Sequence, residues 1–241
     1  MTQFSSQNIQ ELESYMWVRK DYNALEKEYF SKAQNHIKHL KYIPWLRLVA
    51  LWNSVAMKSS HEKSDIDLFV ITAKNRLWLV RICMTSYFFI TGLRKTSAKH
   101  AGAFCLSFFI DTDALDFSEI AIEDDIYLFY WILTLKPILD YNNTHQKFVD
   151  SNTWANFNDF SEYRNTSKIY TSIAEDKKKS GSVIFNSLDA ILKKIFVWKT
   201  LRSYQKLWKP FWIIINDTML KFHNNDKRRF FSQKIAKWKA W

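Results

Sequence analysis

Glycine and proline are scarce, three of each in 241 residues. So few turn-formers disfavour loop-rich β-sandwiches and favour long helices, and a helix-dominated protein is expected. Cysteine is as rare. Cys83 and Cys105 both fall in apolar runs, so they read as buried free thiols of a reducing compartment rather than a disulfide. Long uninterrupted hydrophobic runs are missing too. The best candidate, Leu77 to Leu93, is interrupted by Arg81 and falls short of the ~20 apolar residues that a bilayer crossing needs. No transmembrane segment is therefore expected. The amino terminus MTQFSSQNIQELESY lacks the basic start and apolar stretch of a secretory signal, so the expected location is cytoplasmic.

What is present is apolar and aromatic. Hydrophobic residues make up 47% of the chain and aromatic residues 17%, enough for a sizeable core. The formal net charge of +11 is uneven: residues 1–160 carry 17 Lys/Arg against 18 Asp/Glu, and residues 161–241 carry 18 against 6. A basic carboxyl-terminal third fits an acidic partner, with RNA first and an anionic membrane surface second, although a solvated face has the same composition.

Along the chain, apolar residues recur at helical spacing from Ile9 to about Tyr42, stopping before Pro44. Trp45 to Trp52 (WLRLVALW) reads as a buried strand, Ser54 to Ser60 as a short helical turn, and Asp65 to Thr72 (DIDLFVIT) as the strongest strand. Arg76 to Thr91 reads as a helix apolar on nearly every side, Phe104 to Ile110 (FCLSFFI) as a third strand, and Glu123 to Lys136 as a helix stopped by Pro137. A further helix is expected around Gln146 to Phe157, then a polar loop near residues 162–181 that includes Lys177-Lys178-Lys179. From Ile184 to Met219 apolar residues return every three to four positions, predicting one long helix kinked at Pro210 with its stripe used for packing. The expected organisation is an amino-terminal helix (1–43), an α/β domain (44–140), and a helical basic region (141–241).

The chemistry concentrates in NSVAMKSSHEKSDIDLFVIT. On an extended strand residues i and i+2 share a face, so Asp65 and Asp67 project together. Two such carboxylates repel, and a divalent cation is the usual remedy. An arbitrary D-x-D more often caps the exposed end of a strand. The context narrows the reading: an apolar strand, a small hydroxyl residue at the turn, a short helix, and then the carboxylates opening a second strand, with ten residues between Ser54 and Asp65.

In this arrangement the sequence resembles the nucleotidyltransferase superfamily typified by DNA polymerase β, whose signature is a Gly-Ser turn followed by Asp-x-Asp on the next strand. RLWLVR (76–81), FCLSFF (104–109), LKPILD (135–140), the Asn152/Trp154 pair and LKFH (220–223) also resemble a group of uncharacterised, predicted bacterial nucleotidyltransferases. The resemblance implies an α/β (α+β) fold with a small mixed sheet and flanking helices. It implies a nucleoside triphosphate held at Asn53 and Ser54, and one or two Mg2+ ions held by Asp65 and Asp67. The reaction implied is transfer of a nucleoside monophosphate to a hydroxyl.

Two departures matter. Asn53 stands where the signature has glycine, and asparagine is the best non-glycine residue for a left-handed turn. The third carboxylate that the resemblance implies on a neighbouring strand is absent from FCLSFFI, where Ser107 holds the middle and Cys105 and Phe109 are read on the same face. Asp111 is the nearest acid of that parity, with Asp113 and Glu62 as further candidates. The alternative function is a catalytically degenerate binding module of the same fold, with RNA bound through residues 177–241. His36 and His39, three apart on the first helix, read as surface histidines, and His223 as a polar helix end or a phosphate contact.

Overall fold

The computed structural model of the chain describes residues 4–160, 163, 172–173, 183–205, 213–222 and 227–238. One sheet is built from β1 (Leu46–Leu51), β2 (Ile66–Thr72), β3 (Phe104–Asp111), β4 (Lys136–Asp140), β5 (Ser172–Ile173), β6 (Ile214–Ile215) and β7 (Met219–Lys221), in the spatial order β5-β4-β1-β2-β3-β7-β6. β2 with β3 and β4 with β5 are parallel, and the other neighbours are antiparallel. The helices are α1 (Ser6–Tyr15), α2 (Ala24–Ile37), α3 (Asn53–Ala56), α4 (Leu77–Ile90), α5 (Ile126–Thr134), α6 (Thr144–Ser151), α7 (Val183–Gln205) and α8 (Arg228–Trp238). The fold is the mixed α/β arrangement expected, and no helix among the described residues is long and apolar enough to cross a membrane.

The central strand explains itself. All seven residues of β2 are buried, so it reads as one continuous apolar run, as strands covered on both faces do. Phe69 and Ile71 pack with Phe108, Ile110 and residues of α1, α5 and α6 on one face. Ile66, Leu68 and Val70 pack with α2 and α4 on the other. The start of α4 has no side-chain cap of its own, and Asp189 of α7 accepts a 2.8 Å hydrogen bond from the Leu79 amide there. Asp189 thus ties α7 to the sheet-covering helix, while Leu192, Phe196 and Val197 pack beside it.

Several expected elements differ. The helix expected over Ile9 to Tyr42 is broken at Trp17, whose φ of 56° is left-handed. A capping box of Asn23 and Glu26 restarts the chain as α2. The helix expected to reach Lys136 ends at Thr134, and KPILD becomes β4. Pro137 lies opposite Ala50 where the register with β1 shifts, the kind of position at which a sheet accepts a residue lacking N–H. The expected Gln146 to Phe157 helix stops at Ser151, where Asn152 turns its side chain into the core.

The long helix expected to run to Met219 is replaced beyond α7 by the hairpin β6–β7, which adds to the β3 edge. Its turn is made by Asn216, whose Oδ1 accepts from the Thr218 and Met219 amides at 3.0 and 2.7 Å. Cys83 is exposed on α4, which corrects the expectation of a buried thiol there, whereas the Cys105 thiol is largely covered; both are free. Pro210, Lys177-Lys178-Lys179, His223 and most of 162–181 lie outside the described residues.

Candidate functional site

Asp65 and Asp67 open β2 on the wall of a cavity of about 700 Å³ that Asn53, Ser54, Trp52, Phe108 and Trp131 also line. The local scaffold starts at the β1–α3 junction. Asn53 adopts φ 55°, the left-handed conformation for which glycine would have been the unstrained choice. Its side chain has a second use: Nδ2 donates to Asp67 Oδ2 at 3.0 Å. The asparagine therefore keeps the turn and fills one lone pair of the carboxylate opposite.

The loop between α3 and β2 is pinned from α2. Buried Glu26 accepts from the Ser60 amide at 3.0 Å and from Arg19 Nη2 at 2.5 Å. Arg19 Nη2 also donates to the Ser60 carbonyl at 2.9 Å, and the Tyr29 hydroxyl donates to the Ser64 carbonyl at 3.3 Å. Gly102, at φ 60°, donates its amide to the Ser64 carbonyl at 2.8 Å and leads into β3. A Cβ there would meet the Tyr29 ring at 3.2 Å, a tight contact, and would be strained at this positive φ, so glycine suits the position.

The electrostatics are those of a crowded carboxylate pair. Asp67 is 4% exposed. Burial first, and then the neighbouring Asp65 charge, push its carboxyl up to about 7, against the opposing hydrogen bonds from Asn53 and Cys105. Asp65 forms an ion pair with Lys95, Nζ to Oδ2 at 2.6 Å. The chain after α4 brings this lysine in, because the Lys95 amide donates to the Phe104 carbonyl at the head of β3. Burial opposes the Lys95 charge, but the hydrogen bond and charge of Asp65 outweigh it and raise the ammonium's pKa. Asp67 Oδ1 is buried with no hydrogen-bond partner. An oxygen in that state, beside a second carboxylate and facing a cavity, is what a cation would satisfy.

The parallel register sets Cys105 opposite Asp67, and then slips by one residue, so that Phe108 lies opposite Phe69. Leu106 and Ser107 fall in that irregularity. This corrects the expected face: Phe108, not Phe109, follows Cys105 on the side of Asp67, and the position beside the aspartates belongs to Cys105 rather than Ser107. Asp111 is not brought to the site. It lies opposite Thr72 at the far end of the strand pair, about 16 Å along from Asp67 and on the other face. There its carboxylate accepts from the Asn75 and Asp113 amides at 3.2 and 2.9 Å, a loop-holding role. Asp113 pairs with Lys74 at 2.6 Å, and Glu62 is exposed on the loop. Among the described residues the donor cluster is Asp65, Asp67 and Cys105, whose ligand atoms lie within 4.8 Å of one another. Burial pushes the Cys105 thiol's pKa up, and the Asp67 charge adds to it.

The cavity also includes basic and aromatic side chains in its lining. Arg19, Lys63, Lys221, Lys227 and Arg228 line it, together with Trp17 and Tyr127. Lys221 arrives on β7, whose pairing with β3 puts it opposite Phe108. Arg228, at the start of α8, is held by Asp125 at 3.4 Å and by the Ile120 carbonyl at 2.7 Å. Trp17 is 85% exposed at the mouth. The floor is an aromatic cluster in which Phe108 stacks on Phe117 and Trp131, with ring centroids 5.8 and 5.6 Å apart. Asn152 holds that floor. Its Oδ1 accepts from the Phe117 amide and Trp154 Nε1, and its Nδ2 donates to the Leu115 and Phe148 carbonyls.

Sequence reasoning missed Trp17, which a helical repeat concealed, and also Lys95, Lys221, Lys227 and Arg228, whose placement depends on long-range pairing. His36 is outside the site; its Nδ1 lies 3.4 Å from the Tyr87 hydroxyl, and burial lowers the ring's pKa.

No protein-family model matches the chain, and no curated protein matches it. A solved structure described as "Crystal structure of the toxin-antitoxin with AMP-PNP" is similar over 56% of this chain and 90% of its own, at 19% identity and a TM-score of 0.29. At that level the two chains are not shown to share a fold.

Proposed function

We propose that the chain binds a nucleoside triphosphate together with a divalent cation in this cavity, and that it transfers the nucleoside monophosphate to a hydroxyl acceptor. The observation that carries this reading is a buried carboxylate oxygen of Asp67 without a partner, beside Asp65, on the wall of a cavity whose lining also includes five Lys or Arg side chains and several aromatic rings. Acids alone would repel a polyphosphate. Acids bridged by a metal, faced by lysine and arginine, accept one.

Asp65 and Asp67 fit Mg2+, the cation implied by the sequence resemblance, as oxygen ligands, and would hold it against the α-phosphate; a bound ion there supplies charge neutralisation in the displacement. Lys63, Lys221 and Lys227 neutralise phosphate charge along the cavity, and Ser54 lies at the turn where the resemblance puts a phosphate contact. Trp17 at the mouth and Tyr127 further along the wall offer π faces for a base. The acceptor's proton has no carboxylate to receive it beside Asp67, because the third position is Cys105. Without general-base help, transfer is slowed by a typical factor of ~10² to 10⁴.

That same absence favours a second reading, in which the chain binds nucleotide and does not transfer it. Asn53 and Lys95 already satisfy part of the charge that a second metal ion would otherwise hold. Incubation with each labelled nucleoside triphosphate and Mg2+ or Mn2+, against total RNA and against the protein itself, separates the two. Product that vanishes in an Asp65→Asn/Asp67→Asn double variant supports transfer. Cation-dependent binding without product supports the module. No nucleotide binding at all contradicts both. Transfer or binding to RNA through the basic carboxyl-terminal residues would show as affinity falling steeply with salt.

A further inference from the structure

We infer that Asp65, Asp67 and Cys105 form a mixed oxygen–sulfur site that prefers a borderline cation of the zinc class to magnesium. The inference rests on the proposal that the two aspartates hold a divalent cation, and it adds the third ligand and the class of metal.

Three observations meet here. The register of β2 and β3 sets Cys105 directly opposite Asp67, before the slip at Leu106 and Ser107. The three ligand atoms lie within 4.8 Å of one another, and no other His, Cys, Asp or Glu among the described residues joins them. Asp67 is 4% exposed and its Oδ1 has no hydrogen-bond partner, so the cluster contains a buried ligand atom still lacking a counterpart.

Metal–ligand distances decide whether one ion can touch all three. Zinc lies about 2.3 Å from sulfur and about 2.1 Å from oxygen, so in a tetrahedral site its ligand atoms stand about 3.4–3.6 Å apart. Side-chain rotations that draw the three atoms together by about 1 Å close the cluster onto one ion. The donor set then decides which ion. Magnesium demands near-octahedral oxygen ligands at about 2.0–2.1 Å and gains little from sulfur. Zinc and cobalt(II) take thiolate and carboxylate together in a tetrahedral site, which leaves a fourth position for water or a phosphate oxygen.

Binding has two local consequences. The thiol yields its proton to solvent as sulfur ligates. Lys95 leaves Asp65, whose Oδ2 it now holds at 2.6 Å.

The test uses the full chain carrying Cys83→Ser, because Cys83 is an exposed second thiol. Cobalt(II) serves as the optical probe, titrated into metal-free protein without nucleotide. The expected result is a thiolate-to-cobalt charge-transfer band that saturates at one equivalent, is displaced by stoichiometric zinc, and survives about a 100-fold excess of magnesium. Cys105→Ser should abolish the band and weaken zinc binding by about 10- to 100-fold. Cys105→Asp should abolish it while raising magnesium affinity about 10-fold or more. A band that persists in Cys105→Ser, or cobalt displaced by equimolar magnesium, overturns the inference and leaves the aspartate site standing. Wild type that binds no divalent cation overturns both. If either Cys105 variant fails to give the wild-type circular dichroism spectrum, the competition between zinc and magnesium in the Cys83→Ser protein decides alone, and a magnesium preference refutes the inference.

Discussion

Asn53 does two things that two substitutions can separate. Its backbone is left-handed at φ 55°, and its side chain donates to Asp67 at 3.0 Å. Asn53→Ala removes the hydrogen bond to a buried carboxylate, worth about 1.5–3 kcal/mol, and also the short polar side chain that lets asparagine tolerate the left-handed conformation, about 1 kcal/mol more. Asn53→Gly removes the same hydrogen bond without that penalty. Urea unfolding followed by tryptophan fluorescence should therefore place the alanine variant about 2.5–4 kcal/mol below wild type and the glycine variant about 1 kcal/mol above the alanine one. The m-value should stay unchanged. The glycine variant should also bind a divalent cation more tightly than wild type, because Asp67 Oδ2 loses a competing donor. Equal stabilities for alanine and glycine would refute the backbone argument. A glycine variant as stable as wild type would refute the hydrogen bond's contribution.

Other outcomes follow from single groups. Lys136 is 3% exposed, and burial, with Lys58 adding to it, brings its pKa down to about 7. The unfolded chain thus holds a proton that the folded chain has lost between about pH 7 and 10.5, so this lysine makes stability rise with pH across that window, by up to about 1.4 kcal/mol per unit. Lys136→Met should flatten the pH dependence there relative to wild type, and an unchanged slope would remove Lys136 as its source. Asn152→Ala leaves the Phe117 amide and the Leu115 and Phe148 carbonyls without their partner and should cost about 3 kcal/mol in thermal or urea unfolding. Trp17→Ala, at an exposed position, should leave stability within about 0.5 kcal/mol and weaken nucleotide binding by about 1–3 kcal/mol if a base stacks there. Isothermal titration measures the second effect, and unaltered affinity removes Trp17 from the site.

The elements that were legible in the sequence are those whose signal is local. DIDLFVIT and FCLSFFI are apolar, β-branched or aromatic runs, and they form the adjacent central strands. The pairing of Asp65 with Asp67 follows from the two-residue period of a strand, and both line the cavity. Asparagine's tolerance of the left-handed region foretold Asn53 correctly. The Asp111 expectation depended on an unbroken alternation along β3, and one extra residue at Leu106 and Ser107 reversed the face of everything beyond it. A bulge has no composition signature in FCLSFFI, so the local sequence does not reveal the reversal. Likewise Ile214, Ile215 and Met219 keep a helix-like spacing yet form strands, because the edge of β3 offers them backbone partners. Lys221 and Arg228 reach the cavity only through that tertiary arrangement.

In the function proposed above, Asp65 and Asp67 hold a cation against a nucleotide's phosphates. Isothermal titration of a non-hydrolysable nucleoside triphosphate into the full chain, with and without saturating divalent cation, tests it most directly when paired with the Asp65→Asn/Asp67→Asn variant. Binding that strengthens at least tenfold with the cation in wild type, and loses that enhancement in the variant, is the predicted result. Nucleotide affinity that is the same with and without cation, or that the double variant retains in full, would contradict the account.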